Sequence, residues 1–149
     1  LGLALAPVGA YLAVTGQFSL ISILYGVVVL LWVSGFDIIY ALQDRDFDAG
    51  LGLQSVPVAL GKKGALQLSN VLHFICGLVL VAAVYLQWLN FPAFNWLHLL
   101  AAAVFLILLA YQHTLVKADD LRRVNLAFFT TNGVASLIFG SLVILDAFI

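Results

Sequence analysis

Four long apolar stretches constrain the fold of this chain more than any other feature of its sequence. They cover about residues 23–43, 65–87, 95–116 and 124–145, and each provides the roughly 20 apolar residues that a helix needs to cross a bilayer. No segment alternates apolar and polar residues as a membrane strand does, so the helix is the spanning form to expect. The pattern predicts an all-α transmembrane helical bundle with four full spans.

The composition indicates that lipid surrounds most of the chain. Hydrophobic residues make up 64% of the 149 residues and charged residues 9%, against about 45–50% and about 25% in soluble domains. The net charge is −1, and the sequence lacks the clustered Lys and Arg that nucleic-acid binding needs. The composition therefore excludes nucleic acid as a partner and indicates membrane lipid instead.

A fifth apolar segment, residues 1–14, is too short to cross a membrane at about 1.5 Å per residue. We interpret it as the exit half of a truncated helix whose beginning precedes the first residue. The chain also contains no methionine with which translation would start. These features predict that residues 1–149 form part of a single transmembrane domain, and that its missing N-terminal helices belong to the same protein.

The basic residues predict how the chain is oriented in the membrane. They all fall into the connections after the first and the third full spans, and they are Arg45, Lys62, Lys63, Lys117, Arg122 and Arg123. These two connections lie on the same side of the membrane because two spans separate them. An excess of Lys and Arg marks the cytoplasmic side. We therefore expect both loops in the cytoplasm and the C-terminus, around Asp146, outside.

Four of the seven acidic residues lie in one short stretch at the end of the first full span. On a continuous helix Asp37, Tyr40, Asp44 and Asp48 share one face, whereas Asp46 points elsewhere. Carboxylates four residues apart repel each other unless a cation lies between them. Mg²⁺ prefers oxygen ligands and typically binds one or two carboxylates together with substrate phosphates. The spacing therefore suits a Mg²⁺–phosphate site at Asp44 and Asp48 that opens to the cytoplasm.

Other interpretations of these charges are also compatible with the sequence. An acidic turn at a helix end is often only a solvated loop, in which Arg45 would pair with its neighbours. Lys62 and Lys63 belong to the long polar loop of residues 44–64. They either reach a bound diphosphate or set the topology at the lipid headgroups.

Polar and small residues inside the spans predict helix–helix contacts. For His73 we expect a structural hydrogen bond, whereas Gln112 and His113 either face an acceptor cavity or lie at the membrane interface. The residues expected to join or closely pack helices are Asn70, Asn125, Asn132, Gly133, Ser136 and Gly140.

Two consecutive runs of residues resemble the sequence of a known family. Residues 37–48 read D-I-I-Y-A-L-Q-D-R-D-F-D, and residues 51–61 read L-G-L-Q-S-V-P-V-A-L-G. The first run resembles the second aspartate-rich motif of the UbiA superfamily of intramembrane prenyltransferases, and the second run resembles the stretch that follows it. Residues 111–113 and 125–133 are also similar to the 4-hydroxybenzoate polyprenyltransferase branch of that family. The resemblance covers most of the chain.

The resemblance implies that the chain is the C-terminal portion of a nine-helix prenyltransferase fold. Members of the family use Mg²⁺ to transfer a polyprenyl group from a polyprenyl diphosphate to an aromatic acceptor such as 4-hydroxybenzoate, in ubiquinone or menaquinone biosynthesis. The implied metal ligands and catalytic residues are Asp44 and Asp48. The implied substrate-binding residues are Asp37, Tyr40, Lys62 and Lys63. The resemblance also implies a location in the bacterial inner membrane.

The sequence departs from the family pattern in two respects. The family's first motif, of the N-D-x-x-D-x-x-x-D type, is absent from these residues, and Gln54 stands where many members carry a basic residue. We therefore expect the 149 residues alone to be inactive in prenyl transfer. The alternative is a small non-catalytic membrane subunit or transporter whose acidic loop binds cations. The sequence upstream of Leu1 would distinguish the two.

Overall fold

The chain folds as a bundle of helices in a computed structural model, which describes residues 2–149. The helices are α1 (Ala6–Thr15), α2 (Leu20–Ala41), α3 (Arg45–Gly50), α4 (Val56–Asn90), α5 (Trp96–Leu115) and α6 (Asn132–Asp146). A 3₁₀ turn, Leu3–Leu5, precedes α1, and a π-helical turn, Leu126–Thr131, runs directly into α6. Within the described range there is no β-strand. The predicted all-α fold class is confirmed.

Four of the helices are long and apolar enough to span a membrane, as the sequence predicted. They are α2, α4, α5 and the continuous helix that the π-helical turn forms with α6. The short apolar segment at the start of the chain is helical as well, and Gly16, with φ of 69°, terminates it. Leu1, at which that predicted segment begins, lies outside the described residues.

The polar loop predicted over residues 44–64 is largely helical, so this prediction was wrong. The segment contains α3 and the first turns of α4. Pro57 lies in the first turn of α4, where a backbone N–H has no helical partner to lose. Gly61 interrupts α4 with φ of 69° and ψ of 167°, a conformation that glycine adopts without strain. The kink separates a short first segment of α4 from the part that spans the membrane.

The most extensive helix packing is between α2 and α4. Ser69 Oγ donates a hydrogen bond to the Gly35 carbonyl oxygen over 2.7 Å. A Cβ atom at residue 35 would collide with the ring of His73, so glycine permits this close approach. The His73 ring donates from Nε2 to the Trp32 carbonyl oxygen over 3.0 Å. The structural hydrogen bond predicted for His73 is therefore confirmed.

The other predicted helix contacts have mixed outcomes. Asn132 joins α6 to α2, because its Oδ1 accepts a hydrogen bond from Trp32 Nε1 over 3.2 Å. Asn70 is exposed on α4. The prediction of close packing at Gly133 and Gly140 was wrong: within residues 2–149, no atom of another helix lies within 4 Å of a Cβ atom built at either position.

Two clusters of buried apolar side chains form the core. One cluster consists of Val28, Cys76, Leu80, Val84, Ala102, Phe105, Leu109 and Ala135. The other lies beside the connections that carry the basic residues and consists of Ile38, Ile39, Leu42, Ala65, Leu115, Val116, Val124 and Ala127. Many large apolar side chains on the spanning helices are exposed, as lipid-facing surfaces require.

The N-terminus of α5 is capped by a residue from the far end of the chain. The Asp146 carboxylate is buried and accepts hydrogen bonds from the Asn95 N–H over 2.6 Å and from the Leu97 N–H over 3.1 Å. The first N–H groups of a helix have no partner within the helix and favour a negative charge. Asp146 therefore fastens the end of α6 to the beginning of α5.

Candidate active site

The acidic stretch does not form one continuous helix with α2, which corrects the predicted geometry. The helix ends at Ala41, and a tight turn follows, in which Gln43 N–H donates to the Tyr40 carbonyl and Asp44 N–H to the Ala41 carbonyl. Bonds between residues three apart wind the backbone at about three residues per turn instead of 3.6. The stripe predicted to contain Asp37, Tyr40, Asp44 and Asp48 is therefore interrupted at this turn.

Asp44 and Asp48 are nevertheless joined by the first backbone hydrogen bond at the start of helix α3. Asp44 is the residue that precedes α3, and its carbonyl accepts a hydrogen bond from the Asp48 N–H over 2.8 Å. The Asp44 side chain is exposed, and that of Asp48 is partly buried. The two carboxyl groups thus retain the four-residue helical spacing on which the metal hypothesis depends.

The ion pairs of this region involve Asp46 and leave the other two carboxylates out. Arg45 Nη1 lies 2.7 Å from Asp46 Oδ1, and Lys62 Nζ lies 3.6 Å from Asp46 Oδ2. The hydrogen bond from Arg45 and the charge of Lys62 hold the pKa of Asp46 below its ordinary value. Among the described residues neither Asp44 nor Asp48 has an ion-pair partner.

This pairing bears on both interpretations of the acidic stretch. Arg45 does pair with a neighbour, as the solvated-loop interpretation expects. The neighbour, however, is Asp46, the acidic residue that lies off the predicted stripe. The oxygens of Asp44 and Asp48 keep their lone pairs free for a hard cation. Residues 2–149 contain no group of three or more His, Cys, Asp or Glu side chains that would hold a metal by themselves, so two carboxylates are what this segment offers.

The two lysines of the candidate site lie directly after the kink in α4. Lys62 reaches Asp46. Lys63 is exposed and, with Gly61, lines a cleft of about 550 Å³ whose other wall is Ala118 and Asp119 in the connection after α5. The kink at Gly61 therefore brings the first basic connection next to the second one.

An aromatic wall continues from the acidic end into the span. It is formed by Trp32, Phe36 and Tyr40 on α2 and by Phe128 and Phe129 on the π-helical turn. The Tyr40 ring centroid lies 4.3 Å from that of Phe128 and 5.9 Å from that of Phe129. Phe36 lies 5.2 Å from Phe128 and 5.5 Å from Trp32. These rings form one connected surface that runs from Tyr40 towards the middle of the membrane.

The sequence interpretation identified Tyr40 but missed the other members of the aromatic wall. Its members on α2 are spaced four residues apart, so they share a helix face, and this signal was available in the sequence. Phe128 and Phe129 lie on a π-helical turn, and such turns are frequent at functional sites. No periodicity in the sequence indicates a π-helical turn in advance.

Asp37 lies on the uncovered side of α2. Both Asp37 and Tyr40 are exposed, although they belong to a helix that can span a membrane. A carboxyl group at that depth is costly in contact with lipid and normally faces a polar cavity or a partner. The opposite side of α2 carries Gly35, which is covered by His73.

The polar residues of α5 join the covered side of α2. His73 Nε2 donates to the Trp32 carbonyl, so the neutral ring has an acceptor at Nδ1. Gln112 Nε2 donates to this nitrogen over 2.9 Å, and His113 Nε2 lies 2.7 Å from it. Gln112 and His113 therefore contact His73 and do not contribute to the aromatic wall.

The fold and the site define a class of protein. It is an all-helical membrane protein with two neighbouring carboxylates at one end of a spanning helix and an aromatic surface beneath them. The chain belongs to the UbiA prenyltransferase family, whose sequence profile matches residues 1–134. The resemblance drawn from the two runs of residues is thereby confirmed, and the chain is an integral membrane protein.

Curated relatives agree with this assignment. The chain is 33% identical over 140 residues to a 4-hydroxybenzoate octaprenyltransferase of Aeromonas hydrophila, a match that covers 91% of the chain and 45% of the relative. It is 34% identical over 130 residues to a protein of the same name from Alkalilimnicola ehrlichii, with 87% and 42% covered. The chain thus spans about half the length of the curated relatives it matches. No solved structure matches the chain.

Proposed function

We propose that these residues form the C-terminal part of a single transmembrane domain that transfers a polyprenyl group from a polyprenyl diphosphate to an aromatic acceptor. The family supports prenyl transfer as the reaction class. The relatives are named as 4-hydroxybenzoate octaprenyltransferases, and this favours 4-hydroxybenzoate or a similar phenolic acid as the acceptor, in quinone biosynthesis.

Asp44 and Asp48 are the proposed ligands of Mg²⁺ and the catalytic residues contributed by this chain. The observation that carries this assignment is the difference in ion pairing among the three aspartates. Arg45 and Lys62 neutralise Asp46, while Asp44 and Asp48 have no ion-pair partner within residues 2–149. When bound, Mg²⁺ would supply positive charge that stabilises the departing diphosphate. Two carboxylates plus substrate phosphates are a typical set of Mg²⁺ partners.

Lys62 and Lys63 are proposed to bind the diphosphate together with these carboxylates. Lys63 is exposed beside the kink of α4, and an ammonium group attracts phosphate as a point charge. Lys62 Nζ lies 3.6 Å from the Asp46 carboxylate. This is a long ion pair, and the ammonium group can leave it to bind a diphosphate. Both lysines also suit the role of setting the topology at the lipid headgroups. We therefore expect them to contribute less to substrate binding than Asp44 and Asp48 do.

The aromatic wall is proposed to receive the first isoprene units of the donor. Tyr40 lies at its acidic end, so a diphosphate held at Asp44 and Asp48 would leave its allylic carbons beside aromatic ring faces. These faces carry negative charge density and attract cations. An apolar wall also keeps water away from a reactive allylic group. Asp37 and Tyr40 are proposed to contact substrate at this entrance.

The first aspartate-rich motif of the family is absent from these residues, so the remainder of the active site has to come from elsewhere in the intact protein. We propose a bacterial inner-membrane location with both basic connections in the cytoplasm and Asp146 at the outer side. The distribution of Lys and Arg supports this orientation. A non-catalytic subunit or transporter has less support, because the chain belongs to a family of prenyltransferases.

The assignment is tested by single substitutions in the full-length protein. Asp44→Asn and Asp48→Asn should each lower the rate of prenyl transfer by about 100-fold, because each removes negative charge that holds the metal. Asp46→Asn is the matched control, since it changes the same residue type on the same short helix without touching the proposed ligands. Initial rates are measured with a short prenyl diphosphate, 4-hydroxybenzoate and a Mg²⁺ concentration that just saturates the unmodified protein.

The control variant and the amount of inserted protein make the result interpretable. Full activity of Asp44→Asn and Asp48→Asn in correctly inserted protein would refute the metal assignment. Equal losses in all three variants would indicate a general role of the acidic segment in folding instead. Raising the Mg²⁺ concentration should partly restore the activity of the Asp48→Asn variant and leave that of the control unchanged.

A further inference from the structure

A cavity of about 350 Å³ lies at the end of the bundle opposite to Asp44 and Asp48. Its walls come from α1, the beginning of α2, the end of α4 and the connection between α4 and α5. The residues that matter for its chemistry are Tyr11, Ser22, Tyr25, Gln87, Phe91 and Phe94. No charged residue lines it within the described part of the chain. Its volume lies in the range of small-molecule sites.

Gln87 provides a buried side-chain oxygen that has no hydrogen-bond partner within the described residues. Only 8% of the residue is exposed, and it lines the cavity. Its Oε1 atom is buried and accepts no hydrogen bond from residues 2–149. Buried polar atoms are normally paired, and leaving one unpaired is costly. Because no partner fixes the carboxamide, either its NH₂ group or its oxygen can face the cavity.

Tyr25, on α2, provides a second polar group in the lining of the cavity. Its Oη lies 2.9 Å from Nε2 of His98, a residue that is fully buried and whose Nδ1 has no partner among the described residues. If the tyrosine donated this bond, His98 Nδ1 would be a buried N–H without an acceptor, and such orphaned donors are rare. The favoured arrangement has His98 Nε2–H donating to Tyr25. The Tyr25 hydroxyl proton is then free to donate into the cavity.

Aromatic rings form much of the remaining lining, which Pro7, Ser19, Ile21 and Ser22 complete. The ring centroid of Phe94 lies 5.1 Å from that of His98 and 6.4 Å from that of Phe91, and Tyr11 lines the cavity from α1. A flat ring is a suitable occupant, since aromatic faces pack against it in offset or edge-on geometry. An anion is unsuitable, because no cation lines the cavity to compensate for its charge.

We propose that this cavity binds a neutral, lipid-soluble ring that carries carbonyl oxygens, of which a quinone is the simplest representative. One carbonyl oxygen accepts a hydrogen bond from the Tyr25 hydroxyl, and the other accepts one from the Gln87 carboxamide. The ring packs among Phe91, Phe94 and Tyr11. This site lies at the other end of the bundle from the proposed metal ligands and takes no part in prenyl transfer.

The ester carbonyl of a phospholipid offers similar acceptor chemistry near the membrane surface. A quinone is favoured over the ester because the aromatic side chains of the cavity can pack against its ring, and an acyl ester has no ring. The two sources differ in an experiment, since a phospholipid present in excess would displace a quinone only if both occupied the same cavity.

The proposal is tested by isothermal titration calorimetry on the full-length protein in detergent. The probe is a fully substituted 1,4-benzoquinone with one isoprene unit, which cannot add to thiols. Gln87→Leu and Tyr25→Phe should each weaken its binding by about 3- to 10-fold, as expected for the loss of one neutral hydrogen bond. Gln112→Leu is the matched control, because it removes another buried glutamine amide that is bonded to His73 and does not line the cavity.

A second readout separates ligand binding from a purely structural role. Gln87→Leu replaces an unpaired buried oxygen by apolar atoms, so without quinone the melting temperature should stay the same or rise. Weaker quinone binding together with unchanged stability supports the proposal. Absence of binding to the unmodified protein, or equal affinity in Gln87→Leu, would overturn it. So would equally tight binding of a prenylated arene without carbonyl groups, or competition by short-chain phosphatidylcholine. None of these outcomes depends on catalytic turnover, so the proposed enzyme activity is tested independently.

Discussion

The two ends of the bundle use the same residue type, aspartate, in opposite ways. At the acidic end, Asp44 is exposed and Asp48 is partly buried, and no described cation pairs with either. At the other end, Asp146 is 1% exposed and accepts two backbone hydrogen bonds at the start of α5. A carboxylate whose bonding capacity is filled by the backbone supports the structure. A carboxylate whose capacity is unfilled is available to a ligand.

The ends also differ in where their charges lie. All six basic residues lie at the acidic end, in α3, at the beginning of α4 and in the connection after α5. The opposite end relies on neutral groups, such as Tyr25, His98 and Gln87, apart from Asp146. This difference supports the two proposals, which place an anionic substrate at the first end and a neutral ligand at the second.

The largest expected effect on stability comes from removing the cap at the neutral end. Asp146→Ala leaves two N–H groups at the start of α5 without an acceptor, so the free energy of unfolding should fall by about 2–3 kcal/mol. Asp44→Ala, at the acidic end, removes no hydrogen bond from its side chain and should leave stability unchanged. Denaturation in mixed micelles measures both. Similar losses in the two variants would contradict the distinction between structural and ligand-binding aspartates.

A smaller effect is expected when the cap keeps its shape and loses its charge. Asp146→Asn retains one acceptor oxygen but removes the favourable interaction of a carboxylate with the helix N-terminus. We expect a loss of about 1 kcal/mol, measured in the same denaturation assay. A loss as large as that of Asp146→Ala would contradict this expectation, because it would mean that the retained acceptor oxygen contributes nothing.

The smallest effect concerns the exposed ion pair between Asp120 and Arg122. Arg122 Nη2 lies 2.7 Å from Asp120 Oδ2, and its hydrogen bonds hold the pKa of Asp120 well below the ordinary value. A lowered folded-state pKa stabilises the protein above the ordinary aspartate pKa of about 4. This contribution is lost as the pH falls through the folded-state value. Because the pair is exposed, the change in stability should be too small to resolve.

The pKa of Asp120 itself is the measurable quantity for this pair. In Arg122→Gln, a carboxyl-carbon NMR titration should show the Asp120 pKa raised towards its ordinary value, since the side-chain hydrogen bonds are lost and only the backbone one stays. The Arg45→Gln variant should raise the pKa of Asp46 in the same way and leave that of Asp120 unchanged. An Asp120 pKa that does not respond to Arg122→Gln would show that the backbone N–H of Arg122 is the dominant partner.

Much of the fold could be predicted from local patterns because lipid imposes a simple rule on them. A spanning segment must be long, apolar and internally hydrogen-bonded, so the four spans were recognisable. The chain between residues 44 and 64 obeys no such rule. Its helices begin at Arg45 and Val56 because of contacts and turns that hydropathy does not register, and the predicted loop was wrong for that reason.

The candidate site also has features that the sequence predicts and features that only the structure reveals. The spacing of Asp44 and Asp48 could be read from the sequence, and the backbone hydrogen bond that joins them at the start of α3 agrees with it. The sequence did not reveal that Asp46 takes both nearby cations, because pairing depends on where the kink at Gly61 directs Lys62. Phe128 and Phe129 likewise meet Tyr40 across a distance of almost ninety residues in the chain.

By itself the sequence determined the membrane class, the helical form and the family of this protein, since each depends on composition or on short runs of residues. Only the tertiary structure decided which aspartates are paired, which one caps a helix and which aromatic rings form a wall. These properties arise where distant segments meet, as Asp146 meets Asn95 and Trp32 meets Asn132. Hydrogen bonds and ring contacts depend on distances of a few ångströms, and only the packed helices set those distances.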